Sequence, residues 1–152
     1  ALPISAMKEP PLHRLAPTNA ALLEQVAEDV FDDDIDPAQV AVYLAEPGHL
    51  MVVATVDGQV VGQCQAVVHR HVDKPTELYI DNLGVAPAFK RQGIARRMVD
   101  EILAWGGEFG CRTTWVLTEP DNAEGRGFYE AGGAAGAAAI MYEYKPPEQN
   151  PI

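Results

Sequence analysis

Apolar residues in this chain follow two different periods. Short segments that alternate apolar with polar residues, or that carry runs of β-branched residues, are typical of strands. Five of them span residues 12–15, 49–56, 60–72, 77–85 and 113–118, and a sixth spans residues 138–145. Asp57-Gly58 separates the second segment from the third and predicts a hairpin turn.

Four other segments repeat their apolar residues every three or four positions, as amphipathic helices do. They span residues 18–30, 37–46, 93–109 and 122–131. Thr18 is a suitable N-cap for the first, and Asp36-Pro37 starts the second with a cap and a proline at the first helical position. The longest helix is predicted to bury one stripe, which includes Ile94 and Met98.

The order of these elements is β-α-α-β-β-β-α-β-α-β, which predicts an α/β fold with a mixed sheet. A chain of 152 residues has the length of one domain, and we expect residues 1–152 to form a single domain. Met7 is a candidate start of the natural chain, so we expect residues 1–7 to lie outside the ordered domain. The proline-rich residues 146–152 are expected to fray.

The charge, the hydropathy and the cysteines of the chain indicate which binding partners and which cellular compartment to expect. Eleven Lys and Arg face 22 Asp and Glu, which gives a net charge of −11 and disfavours binding to nucleic acid. No apolar run is long enough to span a membrane, so we expect no membrane partner. The isolated Cys64 and Cys111 indicate reduced thiols and a cytoplasmic protein.

The acidic residues are concentrated between residues 28 and 36. This cluster includes Asp32, Asp33, Asp34 and Asp36. One interpretation is a solvated loop; the other is a cradle for a cationic ligand. No metal is expected, because His69 and His71 share one face of a strand but have no evident third ligand.

The most informative segment joins the strand 77–85 to the helix 93–109. A helix N-terminus after a buried strand offers unpaired N–H groups and partial positive charge, which favour an anion. Lys90, Arg91 and Arg96 bring cations to this point of an acidic chain, and Gly93 and Ala95 leave room for a diphosphate. A plain strand-to-helix turn with solvated cations is the alternative.

Two motifs in the chain resemble those of the GNAT N-acetyltransferases. Lys90 to Ala95 resemble the family's acetyl-CoA motif, Arg/Gln-x-x-Gly-x-Gly/Ala, and Asn122 to Tyr129, followed by Gly133, resemble its motif Asn-x-x-Ala-x-x-Leu/Phe-Tyr-x-x-x-Gly. A helix and a strand separate the two motifs, as in the family. Within the family, residues 78–95 are most similar to bacterial aminoglycoside 3-N-acetyltransferases.

The resemblance implies a fold, a co-substrate and roles for individual residues. It implies a mixed, mostly antiparallel sheet of about six or seven strands flanked by about four helices, with acetyl-CoA as co-substrate and no metal. The backbone of Leu83, Gly84 and Val85 would bind the pantetheine arm, and Asn122 would contact its amide. Tyr129 would bind the cofactor and protonate the departing thiolate. The diphosphate would be held by Lys90, Arg91, Gln92, Gly93, Ile94, Ala95 and Arg96.

Two positions depart from the family pattern. Lys90 stands where Arg or Gln is usual, and it keeps a charge without a fork of donors. Gly125 replaces an alanine and is expected to loosen the helix that carries Tyr129.

The attacking amine must be neutral, so a carboxylate has to accept its proton. Asp81 is the nearest candidate by strand register, Glu77 the second and Glu119 a third. The resulting hypothesis is an acetyltransferase for a small cationic amine such as an aminoglycoside, with a homodimer as an open option. Polyamines, peptide amines and a catalytically quiet acyl-CoA-binding module are the alternatives.

Overall fold

The computed structural model describes residues 9–147, which fall into two compact units on either side of the Leu117–Thr118 bond. The first unit contains five strands, namely β1 (Leu12–Arg14), β2 (His49–Val56), β3 (Gln59–His69), β4 (Glu77–Val85) and β5 (Thr113–Val116). It also contains helices α1 (Pro37–Ala45) and α2 (Ile94–Glu108) and two short 3₁₀ helices, Pro17–Glu24 and Pro87–Phe89. The second unit contains α3 (Ala123–Ala131).

The five strands form one sheet in the order β1-β2-β3-β4-β5. Neighbours from β1 to β4 are antiparallel, and β5 joins β4 in parallel after the chain has passed through α2. This arrangement is the mixed sheet that the element order predicts and the mostly antiparallel one that the resemblance implies, with α2 as the crossover that a parallel pair requires.

The core lies between α2 and one face of the sheet. Ile94, Met98 and Ile102 are buried on α2, as the apolar stripe predicts. Two glycines let the helix approach closely. A Cβ on Gly62 would lie 3.0 Å from the Met98 methyl carbon, and one on Gly106 would lie 2.7 Å from Leu78 Cδ2. The packing fixes where α2 begins, after β4 and the 3₁₀ helix Pro87–Phe89.

The predicted helix over residues 18–30 is wrong. A 3₁₀ helix, Pro17–Glu24, is capped at Ala16 and not at Thr18, and Asn19 has a non-helical φ of −123°. The chain then pairs with β3: Ala27 N donates to Val60 O at 2.9 Å, and Val60 N donates to Gln25 O at 2.8 Å. Backbone pairing with a distant strand therefore outweighs the local helical period.

The sheet has five strands among the described residues and not six or seven, because the predicted strand 138–145 does not form. Residues 138–145 have no regular secondary structure and are exposed; Ile140, for example, is 78% exposed. Much of the preceding stretch is glycine and alanine, which have low strand propensity. Residues 1–7 and most of the predicted frayed tail, 148–152, lie outside the described part of the chain.

Within the part of the chain that the structure describes, no helix combines the length and the apolar character needed to cross a membrane.

Candidate functional site

The turn between β4 and α2 has the backbone geometry of an anion site. Arg91 and Gly93 have φ values of +63° and +79°, so the chain bends in the left-handed region just before the helix. Gly93 is the N-cap of α2 and supplies no side chain to the first-turn N–H groups. A Cβ at Gly93 would meet no atom of residues 9–147 within 4 Å, so the space beside this N-cap is open within the described chain.

Cationic side chains surround this helix start. Lys90, Arg91 and Gln92 are exposed, and Arg96 and Ala95 on the first turn are half-buried, whereas Ile94 is buried in the core. Positive side chains and the helix N-terminus act in the same direction on a nearby anion. The residues named from the sequence for the diphosphate therefore lie together at one helix terminus, where an anion is favoured.

β4 continues beyond its pairing with β5. The parallel pairs run from Glu77–Thr113 to Ile80–Val116, whereas β4 extends to Val85. In the strand pairing of residues 9–147, Leu83, Gly84 and Val85 are matched by β3 alone. A strand edge of this kind offers backbone donors and acceptors to an extended ligand that carries amides.

Asp81 sits on a β-bulge at the point where this open edge begins. Gln65 pairs with Asn82 and Ala66 with Ile80, so Asp81 is the extra residue of β4. Asp81 is exposed, and its carboxylate lies near the phenol of Tyr79. Burial, followed by the charge of Asp81, raises the pKa of Tyr79 and that of Tyr43 on α1. Because Asp81 is exposed, its carboxylate is accessible to an incoming ligand.

Glu77, the second candidate base, has a different environment. Its Oε1 lies 2.5 Å from His71 Nε2, and the His69 and His71 rings stack with centroids 4.4 Å apart. The carboxylate is thus engaged by an imidazole at the start of β4, four residues before Asp81. Despite this histidine pair, the described residues contain no group of three or more His, Cys, Asp or Glu side chains able to hold a metal ion.

Three of the four aspartates predicted to bind a cation lie together. Asp32, Asp33 and Asp34 line a cavity of about 370 Å³ formed by residues between Val26 and Ile35. Asp36 has a structural role: its carboxylate accepts a hydrogen bond from Ala38 N at 2.9 Å and caps the N-terminus of α1. The loop formed by residues 28–36 is called the acidic loop below.

Sequence reasoning missed two polar residues on this face of the sheet. Gln63 on β3 is completely buried and donates to Asn82 Oδ1 at 2.7 Å, and Tyr43 donates from its hydroxyl to Leu50 O at 2.6 Å. The signal for Gln63 was a pair of glutamines, Gln63 and Gln65, among the apolar residues of β3, since buried amides are rare unless they are hydrogen-bonded.

The second unit carries the other sequence motif. Asn122 caps α3 by accepting from Gly125 N at 3.0 Å and donates to Thr118 Oγ1 at 2.8 Å. A Cβ on Gly125 would lie 2.6 Å from Asn122 Nδ2, so a glycine at this position leaves room for the capping side chain. The helix α3 forms over Ala123–Ala131 although Gly125 was expected to loosen it. Tyr129 is half-buried in α3, and its ring meets Phe128 edge-on at 5.1 Å; Glu119 is exposed.

Comparison with known proteins extends these observations. A sequence model described as "Acetyltransferase (GNAT) family" matches residues 17–133. The chain is 25% identical over 97 residues to the aminoglycoside N(6′)-acetyltransferase type 1 of Salmonella typhimurium, covering 61% of this chain and 67% of that one. It is 29% identical over 115 residues to an uncharacterized N-acetyltransferase of Mycobacterium tuberculosis, covering 76% and 70%.

Solved structures show the same fold. The aminoglycoside acetyltransferase AAC(6′)-Iy, in complex with a bisubstrate analogue of CoA and acetylneamine, superimposes with a TM-score of 0.78 at 19% identity over 91% of this chain and 99% of that one. The aminoglycoside enzymes among these relatives are named for the 6′ amine, and not for the 3-amine that the local resemblance of residues 78–95 suggested.

Proposed function

This chain belongs to the GNAT family of acetyltransferases, and we propose that it transfers the acetyl group of acetyl-CoA directly to a primary amine of a small cationic acceptor, with an aminoglycoside as the first candidate. Membership makes it an acyltransferase; the co-substrate contacts, the acceptor and the residue roles below are the proposal. Relatives named as aminoglycoside N(6′)-acetyltransferases support the acceptor class.

The observation that carries the proposal is the turn from β4 into α2. The uncapped first turn of α2 and the cations at Lys90, Arg91 and Arg96 suit the diphosphate of acetyl-CoA. Gln92, Gly93, Ile94 and Ala95 would supply backbone contacts there. The open β4 edge beside it suits a ligand that carries amides in an extended arm, as acetyl-CoA does in its pantetheine.

In this scheme the pantetheine arm lies along Leu83, Gly84 and Val85. Backbone N–H groups of this edge would hydrogen-bond the arm and polarise the thioester carbonyl. Asn122 would contact a pantetheine amide, although its side chain also caps α3. The acetyl group would then lie near the bulge at Asp81.

The chemistry needs one proton acceptor and one proton donor. The amine nitrogen attacks the thioester carbon, a C–N bond forms, and the C–S bond breaks. Asp81 accepts the proton lost by the amine, directly or through water, and Tyr129 donates a proton to the departing thiolate. The exposure of Asp81 and its place at the bulge favour it over Glu77, whose carboxylate is engaged by His71.

The acceptor would bind on the face that carries the acidic loop. Asp32, Asp33 and Asp34 place negative charge around a cavity of about 370 Å³, which suits a molecule with several ammonium groups. Asp36 is the least suited of the four, because its carboxylate already caps α1.

The proposal is tested by measuring CoA thiol release from acetyl-CoA with a panel of aminoglycosides, polyamines and basic peptides, together with product masses. Turnover of an aminoglycoside to a product carrying one acetyl group supports the narrow acceptor class. Turnover of the other amines alone contradicts that class and keeps the N-acetyltransferase. Acetyl-CoA binding without release in the whole panel would favour an acyl-CoA-binding module.

A second measurement separates catalysis from binding. The Tyr129→Phe variant should lose roughly 10²-fold or more in kcat, the lower range for a positioned acid, while its Kd for acetyl-CoA changes little. Tyr144→Phe is a matched control, because it also removes one phenolic hydroxyl, from a side chain that is 98% exposed and has no role in the proposed reaction. Equal kcat for wild type and Tyr129→Phe would remove Tyr129 from the mechanism.

A further inference from the structure

Three side-chain amides form a directed chain from β3 to the acidic loop. Gln65 Nε2 donates to Gln63 Oε1 at 3.0 Å, and Gln63 Nε2 donates to Asn82 Oδ1 at 2.7 Å. Asn82 Nδ2 then donates to Asp32 Oδ2 at 3.3 Å. We call Gln65, Gln63 and Asn82 the amide chain. Its hydrogen bonds are all donated in the same direction, from Gln65 through Gln63 and Asn82 to the carboxylate of Asp32.

The centre of the chain is fixed by burial. Gln63 has no exposed surface, and its Nε2 also donates to Val30 O at 3.2 Å. A buried amide that loses a partner is costly, so its NH₂ group must face Val30 O and Asn82 Oδ1. That orientation makes Asn82 turn its own NH₂ group to Asp32, because its oxygen is already occupied by Gln63.

The hydrogen bond from Gln63 to Val30 lies where the acidic loop meets β4, the strand proposed to hold the thioester. A Cβ on Gly84 would lie only 2.3 Å from Val30 O and 3.3 Å from Gln63 Nε2. The loop therefore crosses β4 directly over Gly84, and Gln63 lies beneath the crossing. Asp32 is thus the one carboxylate of the cluster tied by a side chain to β4.

We propose that Gln63 is a positioning residue for acetyl transfer, which holds Asp32 beside β4 through Asn82 and so decides which amine of a polycationic acceptor reaches the acetyl group. The inference rests on the proposed function. One ammonium group of the acceptor binds Asp32, and a second, neutral amine of the same molecule attacks the thioester. The distance between the two selects the position that is acetylated.

The experiment compares two substitutions of Gln63 with a matched control, using neamine as acceptor. Gln63→Met keeps the length of the side chain and removes its hydrogen bonds. Gln63→Glu keeps the shape but replaces the donor with a carboxylate, so Asn82 must turn its NH₂ group toward residue 63 and away from Asp32. Thr55→Val is the control, because Thr55 is also buried in the sheet and loses one side-chain hydrogen bond, to His13.

We expect both Gln63 variants to raise the KM and the calorimetric Kd for neamine about tenfold, the effect of one lost hydrogen bond to a charged group. The Kd for acetyl-CoA should change by less than about twofold, and the acetylated product should become a mixture of positions by NMR. Thr55→Val should lower Tm without these effects. In an Asp32→Asn background, Gln63→Met should add little further effect on neamine, because the two changes interrupt the same chain.

Two outcomes overturn the inference and are distinct from failure of the proposed function. If wild type acetylates neamine and the folded Gln63 variants match it in KM and product position, the function stands and the role of Gln63 does not. The same holds if Gln63→Met and Asp32→Asn weaken neamine binding additively. A wild type that binds neamine without acetylating it refutes neamine as the acceptor, and the calorimetric Kd values then decide on Gln63. A wild type that neither binds nor acetylates neamine overturns the inference, while the amine panel decides on the proposed function.

Discussion

Two neighbouring glycines near the end of α2 should respond oppositely to the same substitution. Gly106 is buried against the sheet, and a Cβ there would lie 2.7 Å from Leu78 Cδ2 and 3.3 Å from Cδ1 and Cγ. Gly107 is exposed, and a Cβ there would meet no other described residue within 4 Å. Gly106→Ala and Gly107→Ala therefore test whether α2 packs on β4 as closely as the structure shows.

The magnitudes follow from two effects. Replacing glycine by alanine inside a helix stabilises by about 0.5–1 kcal/mol, and this gain applies to both variants. At Gly106, normal carbon–carbon contact of about 3.5 Å requires the Leu78 methyl to retreat by about 0.8 Å. Leu78 has no exposed surface, so the adjustment falls on the core and costs about 1–3 kcal/mol.

Because the two variants have the same composition and the same helix gain, their difference isolates the packing cost. Gly107→Ala should be more stable than wild type, and Gly106→Ala should be less stable than Gly107→Ala by about 1–3 kcal/mol. For a chain of this size, that corresponds to a separation in Tm of roughly 2–12 °C. Thermal and urea unfolding followed by circular dichroism measure it, with the Kd for acetyl-CoA as a check on the site.

The reasoning is refuted if Gly106→Ala is as stable as Gly107→Ala. That result would mean that α2 lies farther from β4 than described or that Leu78 has room to move. A loss of stability in Gly107→Ala would contradict the helix gain instead and would leave the packing argument standing.

Three further predictions concern the site and the pH response. Gly84→Ala should lower both Tm and kcat, because its Cβ would lie 2.3 Å from Val30 O; unchanged unfolding and turnover would contradict the crossing. Gly125→Ala should displace Asn122 from its cap and cost about 0.5–2 kcal/mol, visible as reduced helicity and a lower urea midpoint; a stabilised variant would show that the cap adapts. Burial raises the pKa of Cys64 from 9.0 to about 12, so the folded state favours the neutral thiol; stability should hold below pH 9 and fall toward pH 12. Cys64→Ala should flatten this decline in urea unfolding measured across that range, and an equal slope in wild type and variant would refute the assignment.

Much of the architecture could be predicted from signals that act within a few residues. β2 and β4 form over His49–Val56 and Glu77–Val85, the ranges that alternation and turn residues predict. Asp36 and Pro37 begin α1 by the cap and the fixed φ that the dipeptide supplies. The stripe of α2 is buried as its period requires. Each of these signals is local, so the sequence alone carries it.

The predictions of the first helix and of the last strand were wrong because pairing with distant residues, and not a local signal, decides these two segments. Residues 25–27 have an apolar period that suits a helix, but their backbone pairs with Val60, a partner far along the chain. Residues 138–145 have a strand-like pattern that does not by itself produce a strand. A strand needs a partner for its hydrogen bonds, and periodicity does not say whether one is present.

For the candidate site, the sequence determined the residue types and their order, and the tertiary structure decided their neighbours. The cations and the glycine of the β4–α2 turn are adjacent in the chain, so their grouping at a helix N-terminus was predictable. The bulge at Asp81 depends on the register with β3, and Gln63 meets Asn82 and Val30 across 19 and 33 positions of the chain. Contacts of that kind arise only when strands pair and a loop crosses them, because hydrogen-bond geometry depends on distances in space and not on spacing in sequence.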